Sequence, residues 1–358
     1  MEFFMPVRLY TGRRCTAAHA AEIAALGRRC LIVTGHSGGR LSGALDDALT
    51  LLDSLDIKVA VFDGIRSNPT VESCIEAARA FPEADFVWGI GGGSALDAAK
   101  AVSVFCANCA LDEERFYAKD WTRAPLPIVL SGTTAGTGSE VTSVSVLTDK
   151  RGRKHSIHDD RLYARLAFGD YGYTQSQPQS VTLSTGLDAV MHCVESFLSK
   201  KADEASMACA ARGISLVCAH LRPEPDEKDR EALYEASILG GLAINTTGTC
   251  FPHNVGYFLT ENRGIPHGIA CAVFLPELLS HCAEAAPERL ALMEKMSGCT
   301  KEEMLALLEA SVGEHDIRFS EKEVRAALPR WENNGSVANT PGALTTQDVY
   351  RFLSKFIG

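Results

Sequence analysis

An excess of basic charge is missing from this 358-residue sequence: 35 Lys and Arg stand against 45 Asp and Glu, for a formal charge of -10. That balance argues against a nucleic-acid or anionic-membrane surface, because both partners need clustered cations to displace counterions. No long apolar run suggests a bilayer-spanning helix. The first fifteen residues hold Phe3, Phe4 and Met5 but then Arg8, Arg13 and Arg14, so they offer no apolar stretch of signal-peptide length. Low-complexity tracts and internal repeats are also lacking, and 46% hydrophobic with 22% charged residues is the composition of a globular chain. The twelve cysteines are scattered, without the dense spacing of a small disulfide scaffold, and the expectation is a reducing, cytoplasmic setting. Cys106 and Cys109 form a CxxC with no second pair to complete a zinc site, so they are expected to be ordinary buried thiols. Small-molecule chemistry remains.

The length suits two domains, each able to bury its own core. In the first half, short apolar runs alternate with helical patterns, as in parallel strands joined by crossover helices. Strands are predicted over Cys30–Thr34, Val59–Phe62, Phe86–Ile90 and Pro127–Leu130, each ending in Gly, Ser or Asp. Loops therefore lie at the carboxyl ends of the strands, where open α/β sheets bind ligands. After about Tyr173 the strand signal stops, and helices are predicted over Leu187–Ser199, Glu204–Leu221, Asp229–Ile244, Gly268–Ala285 and Pro287–Met296. Thr345 with Asp348 resembles a capping box that opens a last helix. The linker is expected within 170–180, which places an α/β domain over 1–174 and an all-α domain over 175–358.

The sharpest motif of the first half follows an apolar strand and opens a helix: Gly91, Gly92, Gly93 and Ser94, with Asp97 and Lys100 beyond. Successive residues without Cβ let backbone amides approach a pyrophosphate, and the helix N-terminus adds partial positive charge. An anion site is the physical reading, although Ser94 stands where the Rossmann fingerprint has its third glycine and a tight turn that binds nothing is the alternative for the loop by itself. A second loop, 131–140, also follows a strand and is rich in small and hydroxyl residues, including Thr133, Thr134, Thr137 and Ser139. Two such loops in one sheet support a cofactor groove.

In the second half, Asp188 and His192 lie at i and i+4 of a predicted helix, which puts a carboxylate and an imidazole on one face. A surface ion pair is the bland alternative. His253 and His267 follow fourteen residues apart, the latter held between Pro266 and Gly268. Three His and one Asp would form a mixed nitrogen and oxygen site for one divalent metal, Fe(II) first and Zn(II) second, able to accept a substrate oxygen. The other seven histidines lack such partners.

Together these residues resemble the iron-containing, or group III, alcohol dehydrogenase family over nearly the whole chain. The family's GGGSxxDxAK motif corresponds to Gly91–Lys100, its TTxGTGSE motif to Thr133–Glu140, its G-x-D-A-x-x-H metal helix to Gly186–His192, and its segment ending in P-H-G to His253–Gly268. The resemblance implies an N-terminal Rossmann-like parallel-sheet domain and an all-α C-terminal metal-binding domain, an architecture shared with dehydroquinate synthase. Nicotinamide would meet the metal between them. It assigns ligand roles to Asp188, His192, His253 and His267. Cofactor-side roles go to Gly35, Gly91, Gly92, Gly93, Ser94, Thr133, Thr134, Thr137, Ser139, Thr142 and Lys154, with Asp97 expected to brace its loop. The implied activity is a metal-dependent, NAD(P)-linked alcohol dehydrogenase or aldehyde reductase, most often a homo-oligomer such as a dimer. In the implied reaction the metal polarises a carbonyl or alcohol oxygen while hydride passes to or from nicotinamide.

Two positions depart from the family. NAD-preferring members commonly carry an Asp just after the first strand of the cofactor fold; here Gly35 follows Thr34, with His36, Ser37 and Arg40 nearby, which leans toward NADP. Tyr257 stands where many relatives have a second His used for proton relay, and a phenol of ordinary pKa is a poor base near neutrality. Arg263 offers a cation for an anionic aldehyde or is a solvated loop residue. The alternatives are glycerol dehydrogenase-like polyol oxidation, a lyase like dehydroquinate synthase, and a non-catalytic cofactor-binding sensor.

Overall fold

The computed structural model describes residues 3–358, so the first two residues of the N-terminal segment considered above lie outside it. Contacts divide the described residues into two units, one of residues 5–178 with 226–234, the other of 179–225 and 235–358 with residues 3–4.

The first unit contains eight strands: β1 (Arg8–Thr11), β2 (Arg29–Gly35), β3 (Lys58–Ile65), β4 (Phe86–Gly91), β5 (Ile128–Gly132), β6 (Val144–Thr148), β7 (Lys154–His158) and β8 (Leu166–Gly169). Six form one parallel sheet in the order β1-β8-β5-β4-β2-β3, while β6 and β7 pair as an antiparallel hairpin. The four strands predicted from sequence appear as β2 to β5. Neither β1 nor β8 was legible, because four residues carry too little periodicity and their pairing supplies the rest.

Both faces of the sheet are covered, by α1 (Ala44–Ser54) on one side and by α2 (Val71–Ala80) and α3 (Gly93–Ala107) on the other. Along β2, Cys30 and Ile32 join Leu45, Leu52 and Trp88 in one apolar cluster, whereas Leu31 and Val33 join Val71, Ala99 and Val102 in the other. Coverage on two sides explains why these strands read as continuous apolar runs rather than alternating ones. Each fully buried Leu or Val contributes roughly 1.5–3 kcal/mol.

The second unit is helical: α4 (Gln179–Leu198), α5 (Glu204–His220), α6 (Glu227–Thr247, whose first residues count with the sheet unit), α7 (Phe251–Arg263), α8 (His267–Ala272), α9 (Leu275–Ala285), α10 (Pro287–Ser297), α11 (Lys301–Val312) and α12 (Thr346–Ser354), with shorter turns between the last two. Capping boxes open α5, α11 and α12, the last with Thr345 and Asp348. The single helix predicted over Gly268–Ala285 is broken at Val273 and Phe274. Pro276 has no N–H to donate back to Ala272 and fits only the first turn of a new helix. Against the expectation that no run suggests a bilayer-spanning helix, the stretch His267–Ala285, with a mean hydropathy of 1.2, is long and apolar enough for one by length and composition. Its break and the 56% of its window that is buried make it core of the helical unit.

The cysteines also depart from expectation. Cys218 on α5 and Cys299 after α10 form a disulfide, and of the CxxC pair Cys106 is half-buried while Cys109 is exposed.

Candidate metal centre and cofactor loops

Fifteen of the twenty residues of α4 are buried, so this helix has almost no solvent face on which to place polar groups. Its buried Asp188, His192 and Glu195 fall at i, i+4 and i+7, one stripe of ionisable groups on a buried helix. A surface ion pair between Asp188 and His192 is thereby excluded.

Two further helix starts face that stripe. His253 is the third residue of α7, after Pro252, and His267 is the first residue of α8, after Pro266. Gly268 makes the second approach feasible: a Cβ there would collide with the carbonyl oxygen of Ser184 and lie 2.9 Å from the Asp188 amide, so only glycine lets α8 rest on α4. The imidazole Nε2 atoms of His253, His267 and His192 then stand 3.4, 3.8 and 3.9 Å from Asp188 Oδ1. The His192 and His253 rings stack at 4.5 Å, and His267 meets His253 edge-on at 5.4 Å. His267 is the most open of the four, its side chain 26% exposed against 4% for Asp188.

Asp188 Oδ1 and His253 Nε2 are both buried without a hydrogen-bond partner. Leaving such atoms unsatisfied costs about 1–3 kcal/mol each, so their convergence fits a cation held among them. Burial alone would raise the Asp188 carboxyl, but His192, His267 and His253 around it outweigh burial and hold it well below the usual carboxylate range. His253 is pushed up to about 10: burial opposes its charge, and the carboxylates of Glu195 and Asp188 overcome that opposition.

Two residues that sequence reasoning missed belong to this constellation. Glu195 Oε1 lies 2.5 Å from His253 Nδ1, and its other oxygen accepts from the Cys250 amide at 2.8 Å. A carboxylate on Nδ1 orients the imidazole and directs Nε2 to the centre, the usual support of a ligating histidine. Its position three residues after His192 was the available signal. Cys271, one turn after His267 on α8, is buried, and its Sγ joins donors of Asp188, His253 and His267 that all lie within 4.8 Å of one another.

In the sheet unit, the predicted cofactor residues other than Lys154 lie at or after the carboxyl ends of β2, β4 and β5. Gly91, at φ +149, ends β4, and Gly92 caps α3. Threonines of the second loop press on this turn: a Cβ on Gly93 would lie 2.6 Å from Thr137 Cγ2, and one on Gly92 would lie 3.0 Å from Thr134. The Thr133 amide donates to the Gly91 carbonyl at 2.9 Å. Gly92, Gly93, Ser94, Thr134 and Thr137 keep partial exposure, whereas Thr133, Ser139 and Thr142 are buried.

The last two serve Lys100, which is fully buried and donates to Ser139 Oγ at 2.7 Å, Thr142 Oγ1 at 3.3 Å and the Val144 carbonyl at 2.7 Å. Asp97 accepts from Ser139 Oγ at 2.6 Å and from the Val146 amide at 3.0 Å, tying both loops to β6. Burial lowers the Lys100 pKa against the pull of Asp97 and Glu140. Lys154 begins β7, half-buried, and Gly35 ends β2 beside the exposed His36, Ser37 and Arg40.

Two other candidates are engaged as follows. Tyr257 stacks on His267, ring centroids 5.2 Å apart and planes inclined by 23°. Arg263 pairs with Glu323 at 2.8 Å, donates to the Arg318 carbonyl and lies 4.0 Å over the Phe319 ring, so it is committed to local packing rather than to an anionic substrate.

Comparison with known proteins agrees across both units. Residues 6–171 match the profile described as iron-containing alcohol dehydrogenase, and residues 182–313 match the C-terminal part of the Fe-containing alcohol dehydrogenase family. Alcohol dehydrogenase 4 of Schizosaccharomyces pombe is 31% identical over 280 residues, which span 76% of this chain and 66% of that protein. The 1,3-propanediol dehydrogenase of Citrobacter freundii is 31% identical over 81% of this chain and 77% of its own length. Among solved structures, an iron-containing alcohol dehydrogenase from Thermotoga maritima superposes with a TM-score of 0.92 at 34% identity, covering 99% of this chain and 98% of that one.

Proposed function

The chain belongs to the iron-containing alcohol dehydrogenase family and is an oxidoreductase acting on CH–OH groups, and from that premise we propose that it interconverts a small alcohol and its aldehyde at the Asp188, His192, His253 and His267 centre. The observation that carries this reading is the convergence of three imidazole Nε2 atoms on the buried Asp188 Oδ1, with the His253 Nε2 likewise lacking a hydrogen-bond partner. When bound, a divalent metal supplies a Lewis acid for the substrate oxygen, and a nicotinamide supplies or accepts the hydride.

The residues of the chain do the rest. Asp188 brings the negative charge that a cation needs in a buried place. Glu195 holds His253 by Nδ1, so its Nε2 stays aimed inward. His267, the most exposed of the four, forms the side open to substrate, with the Tyr257 ring stacked on it as a wall. In the sheet unit the backbone around Gly92, Gly93 and Ser94 presents the start of a fifteen-residue helix to a pyrophosphate, while Lys100 and Asp97 hold the loops in register from below.

NADP(H) is the proposed dinucleotide. Support comes from Gly35, which puts no carboxylate at the end of β2, and from His36, Ser37 and Arg40, which are exposed donors for a 2′-phosphate. Polyol oxidation of the glycerol dehydrogenase kind and a non-catalytic sensor find no specific support.

The test is removal of metal by a chelator, followed by readdition of Fe(II) without oxygen or of Zn(II), with oxidation of NADPH and NADH followed against a panel of short aldehydes. Activity is expected to vanish on chelation and return with metal. Undiminished turnover in the chelated protein would sink the proposal.

A further inference from the structure

His267 and Cys271 repeat on α8 the i, i+4 spacing of Asp188 and His192 on α4, so two helices each turn a pair of donor side chains toward one point. Cys271 is buried, and its Sγ lies 3.6 Å from Nδ1 and 3.8 Å from Nε2 of His267. Donor atoms of Asp188, His253, His267 and Cys271 all lie within 4.8 Å of one another. Independent evidence that this point receives a ligand comes from Asp188 Oδ1 and His253 Nε2, buried there without hydrogen-bond partners.

We propose that Cys271 is itself a metal ligand, giving a centre of one carboxylate, imidazoles and one thiolate that selects a borderline-soft divalent ion, Zn(II) or Co(II), over Fe(II). The proposal rests on the reading of this constellation as the metal centre. Thiolate sulfur favours zinc and its cobalt analogue, whereas a set of imidazole and carboxylate suits zinc and iron alike. As the sulfur–metal bond forms, the S–H bond breaks heterolytically and its proton leaves to solvent; no electron is transferred, and the metal keeps its divalent state.

The experiment loads metal-free full-length protein with Co(II) alone, without oxygen, and records its absorption. Sulfur bound to Co(II) produces a near-ultraviolet charge-transfer band, while the visible d–d bands report cobalt held in the protein whatever its donors. Wild-type protein is expected to show both. Cys271→Ser, nearly isosteric, should keep the d–d bands and lose the charge-transfer band, and its preference for Zn(II) over Fe(II) in a competition should fall by roughly tenfold or more. Cys250→Ser, which removes the buried thiol near Glu195, should keep both bands. Visible d–d bands without a charge-transfer band in wild type, or a charge-transfer band that survives Cys271→Ser, overturns the role of Cys271 and leaves the metal centre standing. Cobalt bound by neither protein overturns the centre itself.

Discussion

His253 carries the most informative charge in the chain. In the metal-free protein its pKa is raised from 6.5 to about 10, so its protonated form favours the folded state. For a group raised on folding, that contribution is complete below about 6.5 and is lost as pH climbs toward about 10. Melting temperature in a chelator is therefore expected to fall across that window. A metal needs the unprotonated Nε2, so its apparent affinity should rise over the same window, about tenfold per pH unit for each proton displaced. Calorimetry with and without Zn(II) at several pH values checks both trends. Glu195→Gln removes the charge that sustains the shift, and should flatten the pH dependence and weaken metal binding by about 10–100-fold. Tyr257→Phe is expected to hold turnover within a few-fold, because the ring stacks on His267; a loss of about a hundredfold or more would instead assign the phenol to proton transfer. Gly35→Asp should shift preference from NADPH toward NADH by about tenfold or more, the value of one charge-assisted hydrogen bond, read as the ratio of kcat/KM values.

At the scale of elements, the same helical spacing has opposite visibility in the sequence depending on what surrounds it. Asp188 and His192 stood out as a carboxylate and an imidazole at i and i+4, whereas Glu195 and Cys271 share the same faces but owe their place in the site to residues far along the chain. The break between α8 and α9 shows the limit of periodicity from the other side: the apolar pattern runs through it, and Pro276 decides. In the sheet unit, the two Gly- and hydroxyl-rich loops were legible singly, with Lys100 in the first motif, but the bonds of Lys100 to Ser139 and Thr142 of the second were not. Lys100→Met should cost about 3–5 kcal/mol, since it leaves Asp97 and the hydroxyls of Ser139 and Thr142 without their buried cation. The cofactor KM should rise together with the loss in melting temperature, and Gly93→Ala, which drives a Cβ toward Thr137, should raise KM with a smaller loss of stability.

For the whole molecule, the metal is expected to act on one unit by mass action. At a free concentration one hundredfold above Kd it adds about 2.7 kcal/mol to stability. Amide exchange is the discriminating measurement: protection should rise in Gln179–Leu198, Phe251–Arg263 and His267–Ala272 and stay unchanged in the sheet strands. Equal protection of the strands would mean that the metal stabilises through something other than these three helices.

What the amino-acid sequence determined by itself was everything carried by neighbours along the chain: strands that end in glycine, loops that open helices, and a carboxylate and imidazole one helical turn apart. Local sterics and helical geometry suffice for these, because the interacting groups lie within a few residues. Tertiary packing decided the centre as a single object. Asp188 and His253 are sixty-five residues apart, and His267 reaches them because Gly268 lacks the Cβ that would collide with Ser184. The buried carboxylate of Glu195 behind His253, and the thiol of Cys271 beside His267, came into the site by the same route. No periodicity along the chain records which helix faces which, since that choice is made by the fit of side chains between helices.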